Sequence, residues 1–159
     1  MIHRFQKQWQ EQLAHLVLDI QNNEFHLGLT QAQQPDLVDT EAFYQQGAFW
    51  VATYEDSVIG SIGIQPLDEG IGILRKMFVH KNFRGKELGI AQKLFDTLLV
   101  EAKHLKIDTI YLDTPPVAHA AHRFYERNGF VETTRSELPK NYKFVEMPLK
   151  FYVLYMKNG

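Results

Sequence analysis

The chain has 159 residues, of which 45% are hydrophobic and 13% aromatic, enough to build the core of one compact domain over residues 1–159. Its net charge of -2 provides no global positive field for nucleic acid, and the absence of cysteine excludes disulfides, thiolate nucleophiles and cysteine-ligated zinc. Apolar runs are short and interrupted by charge, and the N-terminal residues lack the apolar segment of a signal peptide, so a cytoplasmic protein without a membrane partner is expected.

The first third of the chain is predicted to be mainly helical. Apolar residues recur at helical spacing, which predicts a helix over residues 6–22, preceded by a short strand over residues 2–5. A looser segment follows, and Thr40 is suited to cap a short helix over residues 41–46.

Three strands are predicted next. The runs 48–55 and 57–67 flank Asp56, which predicts a hairpin. The third run, 71–79, alternates imperfectly around residues 74–76, which predicts a local β-bulge.

The rest of the chain alternates helix and strand. A long helix follows a basic turn and carries an apolar stripe from Leu88 to Leu105. The later elements are a strand, a helix and two strands, over residues 108–114, 117–128, 130–134 and 151–156. This order predicts an α/β (α+β) fold with a mixed, mostly antiparallel sheet of about seven strands and about four helices on both faces.

The basic turn before the long helix is the first functional signal. In the segment VHKNFRGKELGI, Arg84 and Lys86 flank Gly85 where the helix is predicted to begin. The first turn of a helix leaves backbone N–H groups unpaired and carries partial positive charge, while glycine lets a ligand approach closely. This arrangement suits a phosphate or pyrophosphate. The alternative is a solvated basic turn that merely starts a helix.

A second segment, AHAAHRFYERNGF, provides a shallow helical face. Ala118, Ala121 and Tyr125 lie at i, i+3 and i+7, which lets a ligand pack beside the Tyr125 hydroxyl. The alternative is that Phe124 and Tyr125 are both core aromatics, which is the expectation for Phe124 and, from this segment alone, for Tyr125.

Together the two segments resemble the GNAT superfamily of acyl-CoA-dependent N-acetyltransferases. The family pattern is a strand ending in Val, then Arg/Gln-x-x-Gly-x-Gly/Ala opening a long helix, then a strand, then Ala-x-x-Phe/Leu-Tyr-x-x-x-Gly-Phe. The matching pieces are the strand end at residues 77–79, the turn at residues 84–89 and the segment 121–130. The resemblance is clear over about residues 48–130 and extends to the remainder through the order of elements.

The resemblance implies coenzyme A bound between diverging strands four and five. Backbone groups of Met77, Phe78 and Val79 would pair with the pantetheine arm. The residues whose N–H groups would cradle the pyrophosphate are Gly85, Lys86, Glu87, Leu88, Gly89 and Ile90. Arg84 and Lys86 would neutralise its charge.

Two positions depart from the family pattern. The first motif glycine is replaced by Glu87, which would repel a pyrophosphate unless its carboxylate points away. An asparagine often found in the family is replaced by Ala118, and His119 would take part of its role. His119 and His122 lie at i, i+3 without a third ligand of defined spacing, so no metal site is expected. Instead, His119 would face solvent and His122 would pack against the sheet.

The reaction implied by the resemblance is direct attack of a primary amine on acetyl-CoA in a ternary complex. Tyr125, with an ordinary pKa of about 10, would give a proton to the departing thiolate. A backbone N–H near Met77, at the strand bulge, would stabilise the oxyanion.

The general base is left open by the motifs. Many relatives carry a carboxylate on strand four near the position of Ile73, which cannot serve. The candidates are Glu24, Asp113 and His119. Glu24 is preferred because the segment after the first helix commonly lines the acceptor side in this family.

The acceptor surface is predicted to comprise residues 24–36, the turn at residues 67–70 and the loop around Tyr142. Its acids favour a cationic amine, so a small amine or amino acid is expected ahead of a protein amine. A homodimer is compatible with the sequence. The rival hypothesis is a non-catalytic acyl-CoA sensor, motivated by Ile73 and Glu87.

Overall fold

The fold is built on one sheet, which the computed structural model describes together with the rest of residues 1–156. Its strands are β1 (Ile2–Arg4), β2 (Ala48–Tyr54), β3 (Ser57–Pro66), β4 (Ile71–Val79), β5 (Thr109–Thr114), β6 (Val131–Thr133) and β7 (Lys150–Tyr155). They lie in the order β1-β2-β3-β4-β5-β7-β6, and neighbouring pairs in this part of the chain are antiparallel except β4 with β5. The predicted fold class is confirmed. Residues 157–159, the end of the predicted 1–159 domain, lie outside the described residues.

Helices flank the sheet. They are α1 (Gln10–Asp19), α2 (Pro35–Val38), α3 (Thr40–Phe43), α4 (Ile90–His104) and α5 (His119–Arg127). A π-helical turn, Ile20–Glu24, extends α1, and 3₁₀ turns lie at Lys7–Trp9, Lys81–Phe83 and Arg135–Glu137. Among residues 1–156, no helix is both long and apolar enough to cross a membrane.

Strand alternation gives the sheet two apolar faces, and helices cover both. On one face, Leu13 and Val17 of α1 are buried together with Phe49 and Val51 of β2. The core on the other face includes Trp50 of β2, Leu94, Phe95 and Leu98 of α4, and Phe124 of α5. Helices therefore lie on both faces, as predicted.

A β-bulge interrupts β4 where the sequence predicts one. Arg75 pairs with Gly63 and Phe78 pairs with Ser61, so two residues of β4 lie opposite one residue of β3. Lys76 has a φ of 54°, in the left-handed region, and its carbonyl accepts a hydrogen bond from Ser61 Oγ at 2.7 Å. The hydroxyl of this fully buried serine thus fixes the backbone of the bulge.

Strands β4 and β5 diverge part-way along their length. Their parallel pairing joins Ile71, Gly72 and Ile73 to residues 109–111, whereas β4 continues to Val79. Beyond Ile73, the edge of β4 that faces β5 has no strand partner within residues 1–156. This divergence leaves a gap at the carboxyl ends of both strands.

Several helix boundaries differ from the predictions for local reasons. Asp39, rather than Thr40, caps α3, because its carboxylate accepts a hydrogen bond from the N–H three residues on, at 3.1 Å. Pro35 occupies the first turn of α2, an unpredicted helix, where a missing N–H costs nothing. Helix α4 begins at Ile90, so Leu88 precedes the apolar stripe and is 47% exposed.

Candidate active site

A cavity of about 890 Å³ lies where β4 and β5 diverge, bounded by α5, the start of α4 and the end of the π-helical turn. Its lining is basic, although the whole chain has a net charge of -2. The basic lining residues are Arg75, Lys76, Arg84, Lys86, Arg123 and Arg127, and the lining carboxylates are Glu24 and Asp113. This excess of positive charge favours a polyanionic ligand.

The loop of residues 85–89 presents free hydrogen-bond donors at the cavity. Within residues 1–156, the backbone N–H groups from Gly85 to Leu88 have no hydrogen-bond acceptor. Gly85 has a φ of 118°, which favours glycine, and a Cβ added there would meet no atom within 4 Å. Gly89, with a φ of 63°, caps the start of α4. The loop and helix start form an open nest of donors that suits an anion.

The six predicted loop residues divide into two groups. Gly85, Lys86, Gly89 and Ile90 line the cavity, whereas Glu87 and Leu88 do not. The Glu87 side chain is exposed to solvent and lies outside the cavity, so solvent screens the repulsion between its carboxylate and an anion bound there.

Arg84 and Glu24 form a bidentate ion pair beside this loop. Nη1 and Nη2 of Arg84 lie 2.7 and 2.8 Å from the two carboxylate oxygens of Glu24, and Nε donates to the Val79 carbonyl at 2.7 Å. Each guanidinium nitrogen is therefore engaged within the protein. The hydrogen bonds from Arg84 outweigh partial burial and hold the pKa of Glu24 below its ordinary value.

This geometry bears on the roles predicted for Glu24 and Arg84. A carboxylate with a lowered pKa in a bidentate ion pair has little affinity for a proton, which weighs against Glu24 as the general base. Arg84 ties the end of β4 to the π-helical turn, and its guanidinium charge is already paired with Glu24. Lys86 is exposed and makes no ion pair within residues 1–156.

The backbone groups of the three residues predicted to bind pantetheine point in two opposite directions, because the direction alternates along a strand. The N–H of His80 donates to β3 at 2.8 Å, so the backbone groups of Phe78, two residues earlier, also face β3. The backbone groups of Met77 and Val79 face the open edge of β4. The Val79 carbonyl already accepts the hydrogen bond from Arg84, which leaves Met77 with the freer backbone groups.

Tyr125 of α5 has its ring in the core and its hydroxyl at the cavity. The residue is 5% exposed, and its ring centroid lies 5.7 Å from that of Phe130. Every fully buried side-chain oxygen in residues 1–156 has a hydrogen-bond partner, but the Tyr125 hydroxyl has none. The hydroxyl is therefore not fully buried, and it is accessible from the cavity that Tyr125 lines. Burial, followed by the charges of Asp113 and Tyr152, raises the pKa of Tyr125 and keeps the phenol protonated at neutral pH. Phe124 is a core residue, as predicted.

Asp113, the second lining carboxylate, lies at the end of β5. Its Oδ2 accepts a hydrogen bond from the Tyr142 hydroxyl at 2.7 Å and lies 3.9 Å from Arg75 Nη1. The Asp113 carboxylate is therefore bonded to a neutral donor and only loosely paired with a cation, unlike that of Glu24.

The two histidines of α5 lie as predicted. His119 is exposed and lines the cavity, whereas His122 is buried with Nε2 3.0 Å from the Pro115 carbonyl oxygen. Burial lowers the pKa of His122. Within residues 1–156, no group of three or more potential metal ligands is found.

The predicted acceptor surface reaches the cavity only in part. Glu24 and Phe25 line it, but Asp36 is buried, with Oδ1 3.1 Å from Lys76 Nζ and Oδ2 accepting a hydrogen bond from Tyr44 at 2.7 Å. The predicted residues that do not line the cavity also include Asp68, Glu69 and Tyr142.

Four basic residues line the cavity although the sequence did not predict them as site residues: Arg75, Lys76, Arg123 and Arg127. The predicted bulge was a usable signal for the first two, because a bulge can place consecutive side chains on one face. The other two lie at i, i+4 on the helix that carries Tyr125, which places them on one side of that helix.

Sequence comparison decides the family. The family model described as "Acetyltransferase (GNAT) domain" matches residues 45–132, more than half of the chain. The chain belongs to the GNAT family. The resemblance identified from the turn at residues 84–89 and the segment 121–130 is thereby confirmed.

Similar proteins extend this assignment over the whole chain. A crystal structure of a GNAT-family acetyltransferase from Staphylococcus aureus has a TM-score of 0.94 and 35% identity, with 99% of each chain covered. The "Probable N-acetyltransferase camello" of Xenopus tropicalis is 30% identical, and the N-acetylaspartate synthetase of Danio rerio is 34% identical. These two matches cover 74% and 67% of this chain but only 55% and 38% of the relatives, so the chain spans about half of their length or less.

Proposed function

We propose that residues 1–159 act as one domain that transfers the acetyl group of acetyl-CoA to a primary amine of a small molecule. The observation that carries this proposal is the meeting, in one basic cavity, of free loop N–H groups, an open strand edge and the Tyr125 hydroxyl. A relative named N-acetylaspartate synthetase supports a small amine as acceptor, ahead of a protein amine.

The cavity residues fit acetyl-CoA. The free N–H groups of residues 85–88 and the Lys86 ammonium would hold the pyrophosphate, and the start of α4 would add its partial positive charge. On the open edge of β4, the Met77 carbonyl and the Val79 N–H would pair with the pantetheine amides, while His119 would contact the cofactor from α5. Bound there, acetyl-CoA supplies an acetyl group activated as a thioester.

Three groups of the chain would assist the transfer. Asp113 takes a proton from the attacking amine as the nitrogen forms its bond to the acetyl carbon. The N–H of Met77 donates to the acyl oxygen as negative charge develops there. Tyr125 gives its proton to the sulfur as the carbon–sulfur bond breaks. Exchange with solvent then returns Asp113 and Tyr125 to their starting states, so the net products are an amide and a thiol.

Asp113 replaces Glu24 as the proposed base for geometric reasons. Its Oδ2 accepts a hydrogen bond from a neutral tyrosine hydroxyl and lies 3.9 Å from its nearest cation, while Oδ1 accepts no hydrogen bond within residues 1–156. Glu24, in contrast, receives two hydrogen bonds from Arg84.

Thiol release from acetyl-CoA, measured against a panel of small amines, tests the proposal. Turnover is expected in the wild type and in Tyr155→Phe, a control at an exposed tyrosine outside the cavity. Turnover should fall in Tyr125→Phe while calorimetry shows unchanged acetyl-CoA binding. Binding without turnover of any amine would favour the acyl-CoA sensor, and the absence of binding would overturn both functions.

A further inference from the structure

Two consecutive residues of β4, Arg75 and Lys76, present their side chains on the sheet face covered by α1. In a regular strand, consecutive side chains point to opposite faces. Arg75 pairs with Gly63, whose added Cβ would meet the Tyr44 ring at 2.9 Å. Lys76 Nζ lies 3.1 Å from Asp36, which is hydrogen-bonded by the hydroxyl of the same tyrosine. The bulge therefore directs both cations to one part of the cavity lining, here called the acceptor side.

The Arg75 guanidinium is held in place but keeps free donors. Nε donates to Gln65 Oε1 at 2.8 Å, and Nη2 donates to the Lys143 carbonyl at 2.7 Å. The guanidinium carbon lies 5.5 Å from the centroid of the Tyr142 ring. Nη1 makes no hydrogen bond within residues 1–156, and Asp113 is 3.9 Å away. Every fully buried side-chain nitrogen in these residues has a hydrogen-bond partner, so Nη1, which has none, is not fully buried. It is therefore open to a ligand.

The Lys76 ammonium is also held in place. Its Nζ lies against Oδ1 of Asp36, whose Oδ2 is occupied by the Tyr44 hydroxyl at 2.7 Å. The side chains of Lys76 and Arg75 are each 14% exposed. Cations that are already ordered lose little conformational entropy when they bind a ligand.

The two carboxylates near these cations are bonded to different extents. Asp36 is shared between Lys76 and Tyr44, and Asp113 accepts the hydrogen bond from Tyr142. The acceptor side thus offers the ordered N–H donors of two cations, together with Oδ1 of Asp113, which accepts no hydrogen bond within residues 1–156.

We propose that Arg75 and Lys76 form a carboxylate-binding subsite, so that the acceptor is a primary amine carrying its own carboxylate, as an amino acid does. This inference rests on the proposed function, since it names the acceptor of the same site. Arg75 Nη1 and Lys76 Nζ donate to the carboxylate of the acceptor, while its amine lies toward Asp113. An amine without a carboxylate lacks the hydrogen bonds from Arg75 and Lys76 and binds more weakly.

Matched pairs of acceptors test this subsite. Amino acids with small, aromatic and acidic side chains are each compared with the amine that lacks the α-carboxylate, in the wild type, Arg75→Gln and Lys76→Gln. The control is Lys7→Gln, at a side chain 76% exposed and outside the cavity lining. The wild type is expected to favour the carboxylated member by roughly 100-fold in kcat/KM.

The variants separate acceptor binding from the rest of the reaction. Arg75→Gln and Lys76→Gln should each raise the KM of the carboxylated acceptor about 10- to 100-fold, leaving the KM of acetyl-CoA within about twofold. Lys7→Gln should behave as the wild type. Thermal melting of each variant checks its folding, and if Arg75→Gln fails to fold, Lys76→Gln and the wild-type acceptor pairs still decide the question.

Calorimetric titration of the same amino acids into the CoA-saturated protein distinguishes the two proposals. Carboxylate-dependent binding that is lost in Lys76→Gln supports the subsite, even if no amine is turned over and the proposed function fails. Equal turnover of carboxylated and carboxylate-free amines overturns the subsite but leaves the proposed function intact. Absence of both carboxylate-dependent turnover and carboxylate-dependent binding also overturns the subsite.

Discussion

Replacing Glu24 with Gln separates a structural role of this side chain from a catalytic one. The change preserves size and one acceptor oxygen but removes the charge that Arg84 binds at 2.7 and 2.8 Å. Unit charges about 4 Å apart attract by about 4 kcal/mol at an effective dielectric of 20. The Arg84 and Glu24 side chains are 39% and 34% exposed, so solvent screens most of this attraction. Measured couplings of exposed pairs reach about 1 kcal/mol, and the bidentate geometry places this pair near that upper value.

Urea unfolding of the wild type, Glu24→Gln, Arg84→Gln and the double variant measures this coupling as a double-mutant cycle. We expect about 1 kcal/mol at low salt and a smaller value at 1 M salt. The control is the cycle at Lys7 and Glu41, an exposed pair separated by 3.7 Å, which should give almost no coupling. The kcat of Glu24→Gln should fall less than about tenfold, because removal of a general base costs about 10²- to 10⁴-fold.

The pH dependence of the same cycle provides an independent check. The pKa of Glu24 is lowered in the folded chain, so the pair contributes stability above the ordinary carboxyl pKa of 4.5. That contribution is lost as the pH falls through the folded-state pKa. A 100-fold loss of kcat in Glu24→Gln, with unfolding stability unchanged, would refute this reasoning and return Glu24 to the role of base.

Four further predictions concern single sites. Tyr125→Phe should lower kcat about 10²- to 10⁴-fold with unchanged calorimetric affinity for acetyl-CoA, and a kcat near the wild-type value would exclude the proposed acid. Gly85→Ala should weaken acetyl-CoA binding about tenfold, because its φ of 118° is strained for alanine; equal calorimetric affinity would argue against the loop as the phosphate site. Gly63→Ala should lower the melting temperature by roughly 5–10 °C, because its Cβ would lie 2.5 Å from Phe49, and an unchanged melting curve would show that the ring can move. The pKa of His122 is lowered by burial, so the unfolded chain takes up protons more readily; stability in urea should fall below about pH 6.5, with a smaller slope in His122→Gln.

The sheet and its two helical layers could be predicted because they follow from local periodicity. Alternation along β2 and β3 and the apolar stripe of α4 each have a period that the sequence shows directly. The bulge in β4 was visible for the same reason, since it breaks the alternation. The family resemblance placed the loop of residues 85–89 and Tyr125 in one site, although they lie on different elements.

Other parts of the site depend on contacts that local patterns do not encode. Arg84 and Glu24 are 60 residues apart, and nothing near either residue indicates that they pair. The pairing of Asp36 with Lys76 likewise depends on how α2 packs over the sheet. Without these partners, the sequence shows Glu24 and Asp36 only as acids on the predicted acceptor surface.

The bulge in β4 follows from a competition between two costs. Without the extra residue, alternation would direct Lys76 to the same face as Leu74, into the core formed with α4 and α5. Burying an unpaired ammonium in such a core costs several kcal/mol, whereas a left-handed φ at a non-glycine residue costs about 1–2 kcal/mol. The bulge is therefore the less costly solution, and it lets Met77 pack against that core instead. The same irregularity brings Lys76 beside Arg75 at the cavity, so the sequence that requires the bulge also assembles the proposed acceptor subsite.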